Sequence, residues 1–299
     1  MTNDDAEQSL ALFATYAARP ELTEDDQLFA SALERRGVRV RAAAWDDPAA
    51  AWSSAAAVVI RSTWDYHLRH AEFLEWVDRV SASTTLHNDA RLVRWNSHKQ
   101  YLGEIARAGV PVIDTVFATM GAPVHVTDVA REHGWHDLVV KPAVSASAHE
   151  TRRFMPNELA AAQAHLERLL PGRDVMLQPH LTALAEQGEL SLLFAGGQFT
   201  HAVRRRSALV DGHPMPKSAL ASAPAAAHRC AERVLAAAGA LTGVEPNDLL
   251  YARVDLAAAG DDFLLLELEL IEPSLFLLHA PKAAEHFAEA LVSLSLRVG

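Results

Sequence analysis

Cysteine is almost absent from this sequence. Cys230 is the single cysteine among 299 residues, so an internal disulfide is excluded. It lies in the alanine-rich stretch 225–240, where we expect a buried core thiol. Long hydrophobic runs are absent too, because the apolar segments 55–60 and 275–278 are far shorter than the roughly 20 residues that cross a bilayer. The acidic segment 1–7 lacks the basic flank and apolar core of a secretory signal, which predicts a cytoplasmic protein without a membrane partner.

Positive charge is scarce. The chain has 27 basic against 38 acidic residues and a formal net charge of −11. Nucleic-acid binding rests on clustered positive charge, so we expect no nucleic acid partner, whereas a small metal-bridged anion is compatible. His180 and His201 lack the spacing to cysteine or other histidines that a zinc site requires. Half of the residues are apolar, which indicates a globular protein of two or three lobes, and a homo-oligomer is compatible with the sequence.

The first third of the chain alternates strand and helix patterns. Strands are predicted at 10–16, 38–44 and 57–62, and helices at 23–36 and 71–80. Thr23 is the expected N-cap of the first helix. This alternation predicts a parallel sheet covered by helices, in which ligands bind at the carboxyl ends of strands.

One segment leaves its strand at such an end and supplies the first candidates for substrate contact. They are Arg61, Ser62, Thr63, Asp65 and Tyr66. The alternative is an ordinary strand-to-helix loop with Trp64 packed beneath it.

Two further groups of elements follow. The first is predicted to contain a helix at 96–108, a strand at 110–118, a strand at 137–143, a helix at 157–170 and a strand at 175–181. The second is predicted to contain a hairpin, 189–194 and 198–204, a mobile loop at 207–221, a helix at 225–240, a hairpin, 249–256 and 263–271, and a helix at 281–296.

The strongest chemical signal lies in the last predicted hairpin. Glu267 and Glu269 share one face of a strand, while the other face carries Leu264, Leu266, Leu268 and Leu270. Asp255 on the preceding strand is expected opposite the two glutamates, on the same face. Three carboxylates so close repel one another, and such oxygen ligands suit Mg²⁺ bound to substrate phosphates. The alternative is a solvated strand face that carries unrelated acids.

Basic candidates for phosphate binding lie on other segments. Lys141 follows an apolar strand and precedes a run of small residues, 142–148, whose backbone N–H groups can approach phosphate oxygens closely; we call 142–148 the small-residue loop. Lys99 on a predicted helix is a second candidate, although a lone helical lysine is usually solvated. No Gly-Lys-Ser/Thr sequence is present, so a Walker-type enzyme is not supported.

Arginines add to these candidates. Arg253 lies two residues before Asp255, so it points to the same strand face, where a guanidinium can hold phosphate or carboxylate oxygens. Arg204, Arg205 and Arg206 form a basic cluster at a strand end. We take Arg204 as the candidate from this cluster, and solvated surface is the alternative for all three.

In this order the signals resemble the ATP-grasp family from Asn96 onward. Lys99 and Lys141 are similar to its two nucleotide lysines, segment 177–181 resembles the hinge whose backbone meets the adenine, and Glu189 corresponds to an acid that often faces the ribose. The resemblance implies nucleotide contacts at Lys99, Lys141, Ser145, Ala146, Ser147, Gln178, Pro179, His180, Leu181 and Glu189. It also implies an α/β ATP-grasp fold with α+β lobes: an N-terminal parallel-sheet domain at 1–95, a small central lid lobe at 96–181 and a C-terminal lobe with the metal site at 182–299.

Segment 252–255 resembles the Arg-Val-Asp of D-alanyl-D-alanine ligases, in which the arginine faces the acyl phosphate and the aspartate binds metal. Segment 267–269 stands in place of their Glu-x-Asn, which keeps an oxygen ligand but adds negative charge. The small-residue loop also departs from the pattern, because it has serine and alanine where many members have glycine. The implied metal ligands are Asp255, Glu267 and Glu269, for Mg²⁺ or Mn²⁺.

Within the superfamily, segments 61–66, 140–146 and 267–275 are most similar to D-cycloserine synthetases, which close O-ureido-D-serine into an antibiotic ring. This resemblance implies an ADP-forming carbon-nitrogen ligase that uses ATP to phosphorylate the carboxylate of an amino acid derivative. Lys99, Lys141 and Arg253 would offset charge on the transferred phosphoryl group, and Arg204 would hold the carboxylate or the acyl phosphate. Segment 61–66 and Ser274 would line the substrate end. The alternatives are a ligase of other amino acids or dipeptides, a nucleotide-binding regulator without turnover, and a kinase.

Overall fold

A computed structural model describes residues 9–206 and 217–296. The N-terminal region forms the predicted parallel sheet, in the order β2-β1-β3-β4. Its elements are β1 (Leu10–Thr15), α1 (Glu24–Glu34), β2 (Arg39–Ala44), β3 (Ala57–Ile60), α2 (His70–Ser83) and β4 (Leu86–His87). The Thr23 hydroxyl accepts a hydrogen bond from the Asp26 amide at 3.1 Å, so the predicted cap is confirmed.

The single helix predicted at 96–108 is wrong. Only α4 (Tyr101–Arg107) lies within that range, and a separate helix, α3 (Ala90–Asn96), precedes it. The break between them carries Lys99, whose backbone amide donates to Ala143 O at 2.9 Å. The strand predicted at 110–118 is also too long. Its first half instead pairs with Leu265 in another sheet, and only its end forms β5 (Val116–Ala118).

A second, antiparallel sheet runs in the order β5-β8-β6-β7. It is built from β5, β6 (Leu138–Pro142), β7 (Arg152–Phe154) and β8 (Val175–Pro179), with α5 (Val126–His133) and α6 (Leu159–Leu169) packed on it. Helix α5 and strand β7 were not predicted, because both segments are short and polar.

The third sheet is antiparallel, in the order β11-β10-β9-β12-β13. After α7 (Thr182–Gln187), its elements are β9 (Glu189–Ala195), β10 (Gln198–Arg205), β11 (Ser218–Ala221), α8 (Ala225–Thr242), β12 (Tyr251–Ala259), β13 (Asp262–Glu269) and α9 (Ala283–Leu296). The mobile loop predicted at 207–221 is wrong at its end, where β11 pairs with β10; residues 207–216 lie outside the described part of the chain.

The third sheet buries its two faces differently. One face packs on α8, and the buried thiol of Cys230 belongs to that core, as predicted. On the other face, the half that carries Leu193 and Tyr251 packs with Phe287 of α9 and with Phe13 and Phe29 of the N-terminal region. The remaining half of this face carries charged side chains, and it forms the candidate site.

The three sheets lie within residues 10–87, 116–179 and 189–269, each inside one predicted domain. The domain boundaries themselves stay a prediction. In the described ranges, no helix combines the length and apolar character that a membrane span requires.

Candidate active site

Three carboxylates meet on the charged half of the third sheet. Strands β12 and β13 pair so that Asp255 stands opposite Glu267 and Arg253 opposite Glu269. Asp255, Glu267 and Glu269 each offer an oxygen, and these oxygens lie within 4.8 Å of one another. A set of carboxylate oxygens at this spacing fits a hard divalent cation such as Mg²⁺. The alternation read from the sequence therefore brings the predicted metal ligands together.

A bulge shapes the strand that carries the two glutamates. The pairing register shifts between Asp255 and Leu256, and Leu256 pairs with Leu265, which leaves Leu266 as an extra residue. Leu265, Leu268 and Leu270 are buried in the core, whereas Leu264 and Leu266 are half-buried. The prediction that Leu264 and Leu266 share the core face with Leu268 and Leu270 is wrong, because the bulge inverts the alternation before Glu267.

Side chains that flank the break between α3 and α4 form hydrogen bonds with the backbone of β13 and the residue after it; β13 is an edge strand. The Tyr101 hydroxyl donates to Leu268 O at 2.9 Å and accepts from Leu268 N at 3.0 Å. The Asn96 amide group donates to Leu268 O at 2.8 Å and accepts from Leu270 N at 2.9 Å. These contacts fix the backbone on which Glu267 and Glu269 are placed.

Arginines give the carboxylates unequal acidity. Burial opposes ionisation of Asp255, but Arg253 and Arg205, each 2.9 Å from its Oδ2, hold its pKa well below the ordinary value. Burial raises the pKa of Glu269 to about 7 although Arg253 pairs with it. Lys99 and Lys141 outweigh burial at Glu267 and lower its pKa.

The two predicted nucleotide lysines lie beside Glu267. Lys99 is buried, with Nζ 3.1 Å from Glu267 Oε1, and it donates to Ser145 O at 2.8 Å. Burial lowers the pKa of Lys141 while Glu267 opposes that change. Both cations thus face the carboxylate cluster from elements outside the third sheet, with Lys99 at the helix break and Lys141 on β6.

The small-residue loop adopts conformations that usually require glycine. Ser147, Ala148 and Glu150 have φ of 51°, 54° and 57°, a region that costs a non-glycine residue about 1 kcal/mol. Ser145 is buried, whereas Ser147 and Ala148 are exposed. Ala146 packs against the core of the N-terminal region. Alanine and serine therefore stand in the left-handed conformation where the resembling family has glycine.

Arg205, rather than Arg204, reaches the carboxylates. Its guanidinium donates to Ser191 Oγ at 3.0 Å, to Glu189 Oε1 at 2.7 Å and to Asp255 Oδ2 at 2.9 Å. Arg204 points to the opposite face of β10 and donates to Gln187 O at 2.9 Å. The geometry corrects the choice of Arg204 and favours Arg205 as the arginine of this site.

The predicted hinge lies at the end of β8. The backbone of Gln178 pairs with Val139, and its side chain donates to Thr115 Oγ1 at 2.9 Å. The His180 amide donates to Asp137 O at 2.9 Å. These polar groups are engaged within the second sheet, and Pro179 and Leu181 flank them. Segment 177–181 therefore leads from the second sheet into α7 and β9, where Glu189 binds Arg205 instead of standing free.

Two of the predicted substrate residues have structural partners. Arg61 is buried and donates to Asp26 Oδ1 at 2.7 Å and to Pro273 O at 2.9 Å. Asp65 accepts from Trp45 Nε1 at 2.8 Å and from Arg69 at 3.0 Å, within the N-terminal region. Arg61 and Asp65 thus stabilise the fold, and their assignment to substrate binding stays a prediction.

The other candidates of this segment remain near the site. Ser62 and Thr63 are fully buried, and their hydroxyl oxygens have no hydrogen-bond partner in the described ranges. The Tyr66 hydroxyl has a pKa raised by burial and by Glu272, Glu267 and Glu269, so it faces the acidic site. Ser274 lies next to the site, since its carbonyl is 3.5 Å from Arg253 Nη1.

Sequence reasoning missed Ser191 and Glu272. The Ser191 hydroxyl donates to Asp255 Oδ1 at 2.6 Å, and its position two residues after Glu189 was the available signal. Glu272 carries charge that acts on Glu269, Glu267 and Lys99, although the sequence pattern assigned it no function.

Comparisons with known proteins agree with this geometry. Residues 11–88 match the family model described as D-cycloserine synthetase DcsG, N-terminal domain. The cycloserine biosynthesis protein DcsG of Streptomyces lavendulae is 34% identical over 264 residues, which cover 85% of this chain and 88% of that protein.

Solved structures give the same result. The crystal structure of D-cycloserine synthetase DcsG has a TM-score of 0.89 at 31% identity and covers 97% of this chain and 100% of that one. A D-alanine–D-alanine ligase from Bacillus anthracis complexed with ATP has a TM-score of 0.67 at 13% identity, covering 97% and 98% of the two chains, which shows a shared fold. The chain therefore belongs to the DcsG family and is an ATP-dependent ligase with the ATP-grasp fold.

Proposed function

We propose that this ligase cyclises O-ureido-D-serine to D-cycloserine. The observation that carries the proposal is the cluster of Asp255, Glu267 and Glu269 with Lys99 and Arg253 against it. Such a cluster suits the transfer of a phosphoryl group from ATP to a carboxylate. The names of the DcsG relatives, which refer to cycloserine biosynthesis and D-cycloserine synthesis, support the choice of product.

The carboxylates would hold the metal ion. When bound by Asp255, Glu267 and Glu269, Mg²⁺ would neutralise charge on the ATP phosphates. Mn²⁺ prefers similar oxygen ligands and is the alternative ion. Because Glu269 and Asp255 are also paired with Arg253, the site balances its negative charge with arginine as well.

The basic residues would position and stabilise the reacting groups. In the first step, an oxygen of the substrate carboxylate attacks the γ-phosphorus and ADP leaves. Lys99 and Lys141 would offset charge on the transferred phosphoryl group, and Arg253 and Arg205 would hold the acyl phosphate; their contacts with Glu267 and Asp255 support these roles. No covalent intermediate with the protein is required.

The second step closes the ring. The oxyamine nitrogen of the same molecule attacks the acyl carbon, its proton is lost and phosphate leaves. D-cycloserine lacks the carbamoyl group that this nitrogen carries in O-ureido-D-serine. One water molecule must therefore hydrolyse the bond between this nitrogen and the carbamoyl carbon, which returns a proton to the nitrogen and releases carbamic acid, which decomposes to ammonia and carbon dioxide. The small-residue loop, which contacts both the N-terminal core and Lys99, is placed to exclude water from the acyl phosphate.

ADP and phosphate release tests this proposal. The purified protein is incubated with Mg-ATP and O-ureido-D-serine, and in parallel with D- and L-amino acids and dipeptide precursors, and products are identified by mass spectrometry. We expect release with O-ureido-D-serine together with D-cycloserine. Release with another amino acid alone would overturn the substrate and keep the chemistry, stable phosphoester would indicate a kinase, and ATP binding without release would indicate a regulator.

A further inference from the structure

The segment that follows the metal strand is held rigidly. Four backbone carbonyl groups on either side of Glu272 are contacted by side-chain donors. Before Glu272, Tyr251 Oη lies 2.8 Å from Ile271 O. After it, the contacts are Arg61 Nη2 to Pro273 O at 2.9 Å, Arg253 Nη1 to Ser274 O at 3.5 Å, and His201 Nε2 to Leu275 O at 2.9 Å. The donors themselves are buried. The backbone that carries Glu272 is therefore fixed before any ligand binds.

Within the described ranges, Glu272 itself has no partner. Among the described residues, none donates a hydrogen bond to its carboxylate or lies within ion-pair distance. The neighbouring acids differ, since Glu267 is paired with Lys99 and Glu269 with Arg253. Burial, followed by the charge of Glu269, raises the pKa of Glu272 to about 8. Glu272 is half-buried, so a ligand can reach its carboxylate. Loss of part of its hydration without a compensating partner is unfavourable, and its presence on a fixed backbone indicates a ligand group.

The surroundings of Glu272 belong to the substrate end of the site. The Tyr251 hydroxyl, which has one proton to donate, lies 2.6 Å from Ile60 O and 2.8 Å from Ile271 O, so the end of β3 lies beside Glu272. Two unpaired hydroxyls, of Ser62 and Thr63, follow directly on that strand end. The charge of Glu272 is also the strongest charge acting on the Tyr66 hydroxyl.

We propose that Glu272 binds the ammonium group of the amino acid substrate. An ammonium is the complementary charge, and the nearby cations of the protein are already bound to other acids. Three residues of chain span at most about 10 Å, so Glu272 stays close to Glu269 and the phosphoryl-transfer site. The α-ammonium of an amino acid is two bonds from its carboxylate carbon, and one molecule can therefore reach both groups. This inference rests on the proposed function and adds the residue that selects amino acids over plain carboxylic acids.

A pair of substrates and a pair of variants test the assignment. Turnover is measured with O-ureido-D-serine and with 3-(ureidooxy)propanoate, which differs only by lacking the amino group. In the unaltered protein we expect kcat/KM to favour the amino acid by about 10⁴-fold, as for a site built to bind a polar group. In Glu272→Gln the preference should largely vanish, through a higher KM for the amino acid, while the KM for ATP is unchanged. Glu289→Gln, the same change at an exposed site on α9, should keep the preference.

Each other outcome has a definite meaning. No preference in the unaltered protein, or equal loss of kcat for both compounds in Glu272→Gln, would overturn the assignment, and the second result would point to a base in the reaction. If another amino acid is turned over instead of O-ureido-D-serine, the proposed function fails, and the same comparison is made with that amino acid and its deamino analogue. Silence with every amino acid contradicts both proposals.

Discussion

Glu267 is the residue at which metal and nucleotide contacts meet. Its carboxylate lies 3.1 Å from Lys99 and belongs to the cluster with Asp255 and Glu269. An amide in its place can still accept a hydrogen bond from Lys99, so the fold should persist. The negative charge that a divalent cation requires would be lost.

We therefore expect Glu267→Gln to fold and to lose nearly all activity. Turnover should fall by about 10³-fold or more, as when a charge-stabilising group of an active site is removed. ADP release at increasing Mg²⁺ concentration measures the loss, and a thermal melt close to that of the unaltered protein verifies folding. Activity within a few fold of the original would contradict the assignment of Glu267 as a metal ligand.

The neighbouring arginines Arg204 and Arg205 form a natural pair of variants. Arg205 bridges Ser191, Glu189 and Asp255, and a lysine cannot donate to three groups in that planar arrangement. Arg205→Lys should lower kcat/KM by about 100-fold, whereas Arg204→Lys should stay within about threefold. Steady-state ADP release distinguishes the two, and an equal loss in both variants would count against the geometry.

Sequence pattern could not choose between these arginines. Period-two alternation placed Asp255, Glu267 and Glu269 on one strand face. It could do so because the apolar residues that alternate with them mark the opposite face, which packs on the core. Three consecutive arginines give no such reference. The side of β10 on which each arginine lies is set by its register with β9, where Glu189 stands opposite Arg205. That register depends on the turn between the two strands and on the bulge between Phe199 and His201.

At the scale of elements, Gly188 allows the backbone just before β9 to lie close to the backbone of Arg205 on β10. It has φ of 71°, and a Cβ added there would lie 2.4 Å from Arg205 O. Gly197, in the turn between β9 and β10, is similarly confined, with φ of 75° and an added Cβ 2.7 Å from Pro246 O. Both positions need glycine, but only the first adjoins the candidate site.

Alanine at these two glycines should separate stability from activity. Gly188→Ala and Gly197→Ala should each lower the free energy of unfolding, by about 1–3 kcal/mol. Gly188→Ala should also lower kcat by about tenfold or more, because it displaces the backbone of Arg205, whereas Gly197→Ala should leave kcat nearly unchanged. Urea unfolding and ADP release below the melting temperature measure the two effects. Equal kcat values in both variants would show that the position of Arg205 is unimportant.

Other element features depend on contacts that are distant in sequence. The helical pattern continues through 97–100 without glycine or proline, yet the chain breaks there, where Lys99 N donates to Ala143 O. The bulge at Leu266 likewise leaves no mark in the alternation of leucine and glutamate. Both features are set by neighbouring segments, which local periodicity does not describe.

For the whole molecule, the parallel N-terminal sheet and the two hairpins of the third sheet followed from pattern, whereas α5, β7 and the assembly of the elements did not. Helix α9 was predicted as amphipathic, and it packs between the third sheet and α1, with Phe287 beside Phe29. This packing ties the end of the chain to the N-terminal region. His201 of the third sheet is also buried. Because burial opposes protonation of its imidazole, the ionisation of this histidine is linked to folding.

Acid should destabilise the protein through its buried histidines. Burial lowers the pKa of His87 and of His201 to about 4, below the ordinary value of 6.5. Between these values the unfolded chain binds protons that the folded chain does not, so this stability is full above pH 6.5 and is lost as pH falls towards 4. The raised pKa of Glu189 acts in the opposite direction, because the folded state then binds the extra proton. The contribution of one histidine is therefore isolated by comparing the pH dependence of stability in the unaltered protein with that in a variant that lacks this histidine.

His87→Gln removes one titrating group from the core. From pH 7 to pH 4.5, the free energy of unfolding should fall by about 2 kcal/mol less in this variant than in the unaltered protein, whatever its stability at pH 7. Urea unfolding at the two pH values measures the difference, and His286→Gln, at an exposed position of α9, should match the unaltered protein. If His87→Gln shows the full fall, then His87 is protonated in the folded state at pH 4.5, and the acid sensitivity must arise at other groups.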